Sequence, residues 1–141
     1  MSKIIGIDLG TTFSAIAQLD DLGNPEVLAS TDTNKKITAS AVYLKEKNAV
    51  VGDKALDALS ATPKNVATET KRQMENDVVF STQKGEWIDK EGAEEGCYSP
   101  AQVSSFILGK LKGYTSDVKK AVVTVPALFA EKARVATLDA A

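Results

Sequence analysis

Asp8, Gly10, Thr11 and Thr12 are the residues whose types and spacing point to chemistry. They fall in IIGIDLGTTFS, residues 4–14. A carboxylate inside an apolar strand is costly to bury without a compensating partner, and a hydrated Mg²⁺ suits such an oxygen ligand. Glycine two positions later gives the backbone close access to a ligand where the chain turns. Two threonine hydroxyls beside consecutive main-chain N–H groups then extend an anion-binding concavity. Carboxylate, close approach and phosphate donors together describe a site for a metal–nucleotide. For DLG alone, an ordinary hairpin with its Asp bonded to backbone is the better reading. The whole run GIDLGTT, placed as the first strand, favours the site. It is neither a Walker loop nor a dinucleotide fingerprint, since no GxxxxGK[ST] or GxGxxG occurs.

The elements that must position these residues follow from pattern. Ile5, Ile7 and Leu9 alternate with Ile4, Gly6, Asp8 and Gly10, which predicts a strand with two unlike faces. Residues 13–19 continue as an antiparallel strand, DDLGNP turns the chain, and residues 26–29 give a third strand of a meander. Residues 30–96 are patchier. Short strands are expected at 41–44 and 49–51, and Asp53 is expected to cap a short helix to about Leu59, with Leu56 and Leu59 on one side. A hairpin is expected from residues 78–80 and 86–88. Residues 99–112 form the clearest helix: Ser99 and Gln102 make a capping box, Pro100 sits at the first helical position, and Gly113 stops it. Val103, Phe106, Ile107 and Leu111 are its apolar stripe. The run AVVTV, residues 121–125, reads as a strand buried on both faces, and residues 130–141 as a helix with Ala133, Ala136 and Ala140 on one side.

Composition narrows the classes. The 141 residues carry a net charge of −2, with 43% hydrophobic and 26% charged residues, values typical of a globular domain. No basic stretch suggests a nucleic-acid surface, and no apolar run approaches the ~18 residues of a membrane span. The single cysteine, Cys97, fits a reducing, cytoplasmic compartment. Without histidine, Ser-His and Cys-His nucleophiles are excluded, so catalysis falls to carboxylates, lysine, hydroxyls, backbone or metal-bound water.

IIGIDLGTTFSAIA, YSPAQVSSFILGKLK and VVTVPALFAEKARVATLDAA together resemble the seventy-kilodalton heat-shock chaperones (DnaK-like), a branch of the actin-like ATPase superfamily. The likeness runs over essentially the whole chain and is weakest in the middle, where Val51-Gly52, Pro63 and Lys71-Arg72 keep family-like spacing. It implies an α/β fold: a ribonuclease H-like, actin-like ATPase lobe with a mixed sheet, an antiparallel meander and flanking helices, plus a small α+β insertion. The core would comprise residues 1–29 and 97–141, and the insertion 30–96. It also implies roles. Gly10, Thr11, Thr12 and Phe13 match the loop that contacts the ATP phosphates. Asp8 matches the carboxylate that holds Mg²⁺ through water. Lys71 matches the lysine that reaches the γ-phosphate and the attacking water. Pro126 and Arg134 match a pair that relays nucleotide state between domains. The chain departs from the family at Thr38-Ala39-Ser40, which lacks a central proline, at Gln73-Met74-Glu75-Asn76, and at Leu128-Phe129-Ala130.

The resemblance thus implies an ATP/ADP- and Mg²⁺-dependent chaperone ATPase. Its clients would be unfolded polypeptides held by a peptide-binding domain absent here, its helpers a J-domain co-chaperone and a nucleotide exchange factor, with neither nucleic acid nor membrane as a partner. The last expected helix has no stop signal beyond it, so the chain is expected to be an N-terminal fragment with an incomplete cleft. A lysine–phosphate pair is worth about 4 kcal/mol in a partly closed cleft and about 1 in open water. The chain alone is therefore expected to bind ATP weakly and not to turn it over. A sugar or metabolite kinase, or an actin-like filament or sensing protein, are the alternatives within the superfamily. The Pro63–Lys71 and Pro126–Arg134 spacings favour the chaperone.

Overall fold

The computed structural model describes residues 3–44, 49–74, 76–92, 97–115 and 118–123. In chain order the elements are β1 (Lys3–Leu9), β2 (Phe13–Leu19), β3 (Pro25–Val27), β4 (Thr38–Ala39), β5 (Val42–Leu44), β6 (Ala49–Val51), α1 (Asp53–Asp57), β7 (Val66–Ala67), β8 (Val78–Ser81), β9 (Glu86–Asp89), β10 (Cys97–Tyr98), α2 (Pro100–Lys112) and β11 (Val118–Val123). Short 3-10 turns occupy Pro63–Asn65, Thr70–Gln73 and Lys90–Gly92.

The principal sheet runs β11-β1-β2-β3, with β4 added to β2. β1 pairs antiparallel with β2 and parallel with β11, so the sheet is mixed. This is the arrangement expected of an actin-like ATPase lobe with an antiparallel meander. Two smaller three-stranded sheets, β10-β8-β9 and β6-β5-β7, complete the strands. The predicted hairpin is present as β8 and β9, with Phe80 opposite Trp87 and their rings edge to face at 5.4 Å.

The alternation in β1 and β2 decides which side packs. Ile5, Ile7, Leu9 and Ile16 are buried with Val103, Ile107 and Leu111 of α2, and Val42, Val51 and Phe80 join the same core. α2 thus lies over the principal sheet and reaches the smaller ones. Its start is fixed as predicted. The Gln102 N–H donates to Ser99 Oγ at 3.1 Å, and the Ser99 N–H donates to Gln102 Oε1 at 2.8 Å. Such a cap satisfies donors that the first turn leaves orphaned.

Four local expectations are corrected. Gly52, not Asp53, precedes α1 as its cap; its φ of 100° is open to glycine and strained for other residues. Asp53 is the first helical residue and meets Lys35 Nζ at 3.3 Å. Only Ala55 is buried in α1, while Leu56 and Leu59 are exposed, because a five-residue helix turns too little of itself inward. Gly113 ends α2 in a right-handed conformation, so its flexibility is not what stops the helix. Among the described residues β11 is the edge strand and is not covered on both faces, since Ala121 is exposed and Val122 is 63% exposed. Residues 124–125 and the helix expected over 130–141 lie outside the described residues.

Candidate functional site

The turn between β1 and β2 is built on Gly10. A Cβ placed there would overlap the carbonyl oxygen of Phe13, a backbone atom that no rotamer change can move aside. Glycine is therefore demanded by the closeness of the turn. Thr11 is half-buried, and Thr12 and Phe13 are exposed. The loop is fastened from behind. The Ser40 N–H donates to the Thr12 carbonyl at 2.8 Å, and the hydroxyls of Ser14 and Ser40 share a hydrogen bond of 2.7 Å while both are buried. Phe13 and Ser14 pair with Ala39 and Thr38 of β4. Thr38 in turn bonds the Tyr114 hydroxyl at 2.9 Å, just beyond α2. Ser14 and Ser40 are supporting residues that the sequence reading did not single out. A small hydroxyl at a core-facing position of a largely apolar strand was the available signal.

Asp8 is exposed, contrary to the expectation of a buried carboxylate needing compensation. The alternation separates two faces correctly, but the face carrying Ile4, Gly6 and Asp8 is uncovered among the described residues, with Ile4 53% exposed. The desolvation argument for a counter-ion therefore does not apply at Asp8. Solvent access instead suits a carboxylate that holds a cation through water. Among the described residues no three His, Cys, Asp or Glu side chains gather to bind a metal by themselves.

Lys71 is brought to the same side as Asp8 despite lying more than sixty residues away in sequence. It is half-buried in the 3-10 turn Thr70–Gln73. Desolvation holds its amine below the ordinary lysine pKa, and the negative charge of Asp8 offsets part of that effect. Burial disfavours the charged ammonium and a nearby anion favours it, and here burial is the stronger of the two. The segment leading to Lys71 is tied down by the Trp87 indole, which donates to the Thr68 carbonyl at 3.1 Å. Glu69 follows with a left-handed backbone, φ 57° and ψ 28°.

The structure thus brings together Asp8, the Gly10–Phe13 turn and Lys71. The donor set fits a phosphate chain with its cation: backbone N–H groups and hydroxyls for oxygen, a solvated carboxylate for metal, and a half-buried ammonium. Pro126 and Arg134 lie outside the described residues.

Comparison with known proteins places these features in context. The family described as Hsp70 protein matches residues 4–141. A chaperone protein DnaK of Nitrosopumilus maritimus (strain SCM1) is 38% identical over 149 aligned positions, covering 99% of this chain and 22% of the relative. The chain therefore spans about a fifth of the length of that curated relative.

Proposed function

The chain belongs to the Hsp70 protein family, and from that membership we propose that it supplies the first phosphate-binding loop of a chaperone's ATP-binding domain. The observation that supports this most directly is the turn at Gly10, where a Cβ would overlap the Phe13 carbonyl oxygen, with half-buried Lys71 feeling the charge of Asp8 beside it. In this reading the main-chain N–H groups from Gly10 to Phe13 and the hydroxyls of Thr11 and Thr12 orient the phosphate oxygens. Asp8 would hold the cation through water, and Lys71 would offset charge at the terminal phosphate and steer the attacking water. ATP with Mg²⁺ supplies the reactive phosphoanhydride and a metal that offsets its charge. Preorganised donors of this kind cost little reorganisation when charge develops. Burial makes the Lys71 amine easier to pair, because its own hydration is already partly lost.

For a protein of the relative's full length, the reading extends to ATP hydrolysis coupled to binding and release of unfolded polypeptide. J-domain and nucleotide-exchange partners would act on it, Pro126 and Arg134 would carry nucleotide state onward, and the cytoplasm would be its compartment. The division into a core of residues 1–29 and 97–141 with an inserted 30–96 belongs to the same proposal.

The test is a ¹H–¹⁵N titration of the 141-residue chain with Mg-ATP into the millimolar range. Selective, Mg²⁺-dependent shifts at residues 10–13 and 71 are expected, with weak affinity. Saturation that leaves these amides unmoved while others shift would overturn the assignment.

A further inference from the structure

Lys71 sits in a very short element, the four-residue 3-10 turn Thr70–Gln73. Its turn is anchored by two buried neighbours, Thr70 at 2% exposure and Met74 at 2%. Neither anchor makes a strong directional bond. Thr70 Oγ1 has no hydrogen-bond partner, and the Met74 sulfur receives only the Ser104 hydroxyl at 3.7 Å, a weak acceptor at long range. Burial, more than side-chain hydrogen bonding, holds the turn in place. Upstream, the Trp87 indole fixes the Thr68 carbonyl. Between that fixed point and Lys71 stand only Glu69 and Thr70.

Glu69 is one of two described non-glycine residues with positive φ, the other being Asn34. For a residue with a Cβ and a long side chain this conformation is uncommon, and it persists where the surroundings demand it. Its side chain does not explain it. The Glu69 carboxylate meets Arg72 at 3.5 Å, but both groups are largely exposed, so the pair is weak. What Glu69 contributes is the backbone reversal itself, and the Arg72 N–H donates to its carbonyl at 3.1 Å to start the 3-10 turn.

We propose that Glu69 is a positioning residue: its left-handed backbone, with Thr68 held on one side and Thr70 buried on the other, aims the Lys71 side chain toward Asp8. The functional importance of this aim rests on the phosphate-site reading above, but the geometry can be tested without nucleotide. A left-handed conformation is easy for glycine, tolerated by asparagine and strongly resisted by a β-branched residue. The backbone device therefore predicts that Glu69→Gly and Glu69→Asn keep the aim, though both lose the Arg72 pair, and that Glu69→Val loses it.

The experiment uses the 141-residue chain with ¹³C-labelled lysine at pH 7, the Lys71 signal being assigned by its disappearance in Lys71→Arg. In the parent chain, Asp8→Asn is expected to shift the Lys71 signal while leaving distant lysines unchanged. The same shift should survive in Glu69→Gly and Glu69→Asn and vanish in Glu69→Val. Dispersed amide spectra check that each variant folds. If Glu69→Val does not fold, Glu69→Ala replaces it, and its response must be smaller than that of Glu69→Gly. An equal Asp8-dependent shift across the series, or its loss in Glu69→Gly, refutes the proposal. Failure of Mg-ATP to perturb residues 10–13 would leave this result standing, so the two readings fail separately.

Discussion

Replacing Gly10 with alanine drives a methyl group into the carbonyl oxygen of Phe13. That carbonyl must withdraw before ordinary contact is restored, and it belongs to a strand already registered with Ala39. Its neighbour, the Thr12 carbonyl, accepts from the Ser40 N–H at 2.8 Å, and Ser40 also shares a hydroxyl bond with buried Ser14. Relieving the overlap thus pulls on a small network. Overpacking a closely fitted position costs about 1–3 kcal/mol, and weakening a buried hydrogen bond adds roughly 1 kcal/mol. A loss of about 2–4 kcal/mol lowers the Tm of a domain this size by on the order of 6–12 °C. Gly6 is the internal control. It lies in β1, four residues before the turn, and a Cβ there would meet nothing within 4 Å. Gly6→Ala relieves the backbone entropy of glycine and is expected to be neutral or stabilising by up to about 1 kcal/mol. Thermal melts of the two variants by circular dichroism, run side by side, decide the matter. A Gly10→Ala melt within a degree or so of Gly6→Ala would refute the argument that the turn is sterically closed to any side chain.

Three further outcomes follow from charges and caps. Lys71 is held below the ordinary lysine pKa chiefly by burial, so the unfolded chain binds more protons on the approach to the lysine range and stability rises with pH there. Lys71→Met should flatten that rise and melt no lower than the parent at pH 7, while abolishing the Mg-ATP response at residues 10–13; a lower melt and an unchanged pH slope would contradict the desolvation assignment. Lys110 donates to Asp32 at 2.6 Å and keeps its carboxyl below the ordinary range, a contribution present above the unfolded value of about 3.9 and lost as pH falls through the folded one. Asp32→Asn should therefore cost about 0.5–1 kcal/mol at pH 7 and converge with the parent in acid, as urea midpoints across pH would record. Ser99→Ala removes one half of the capping box and should cost about 1 kcal/mol, visible as faster amide exchange in the first turn of α2.

The parts of this architecture that were legible in the sequence are those governed by local pattern. β1, β2 and α2 were readable because strict alternation and a complete capping box leave few competing conformations. The glycine turn was readable because GIDLGTT carries its chemistry in consecutive residues. What could not be read depends on neighbours distant in sequence. Alternation placed Asp8 opposite Ile7 but could not say which face another element would cover. The pairing of Ser14 with Ser40 joins residues twenty-six apart through β4, a two-residue strand too short to show a period. The left-handed backbone at Glu69 left no trace in residue type, since glutamate is a poor indicator of that conformation. Leu56 and Leu59 misled because two leucines at helical spacing imply a buried face only when the helix is long enough to present one.

The strand bearing Asp8 has one neighbour close by in sequence and one very far away. Ile5 stands opposite Gln18 on one side and Ala121 on the other, so one flank zips up early and the other must await a segment over a hundred residues downstream. The entropy of closing so long a loop grows only slowly with its length, but the delay is real for a chain made from its N-terminus. Until residues 118–123 have emerged from the ribosome, β1 presents a raw row of unpaired amides and carbonyls along that flank, the kind of template that recruits other chains. A member of a chaperone family thus carries, during its own synthesis, the hazard that chaperones exist to contain.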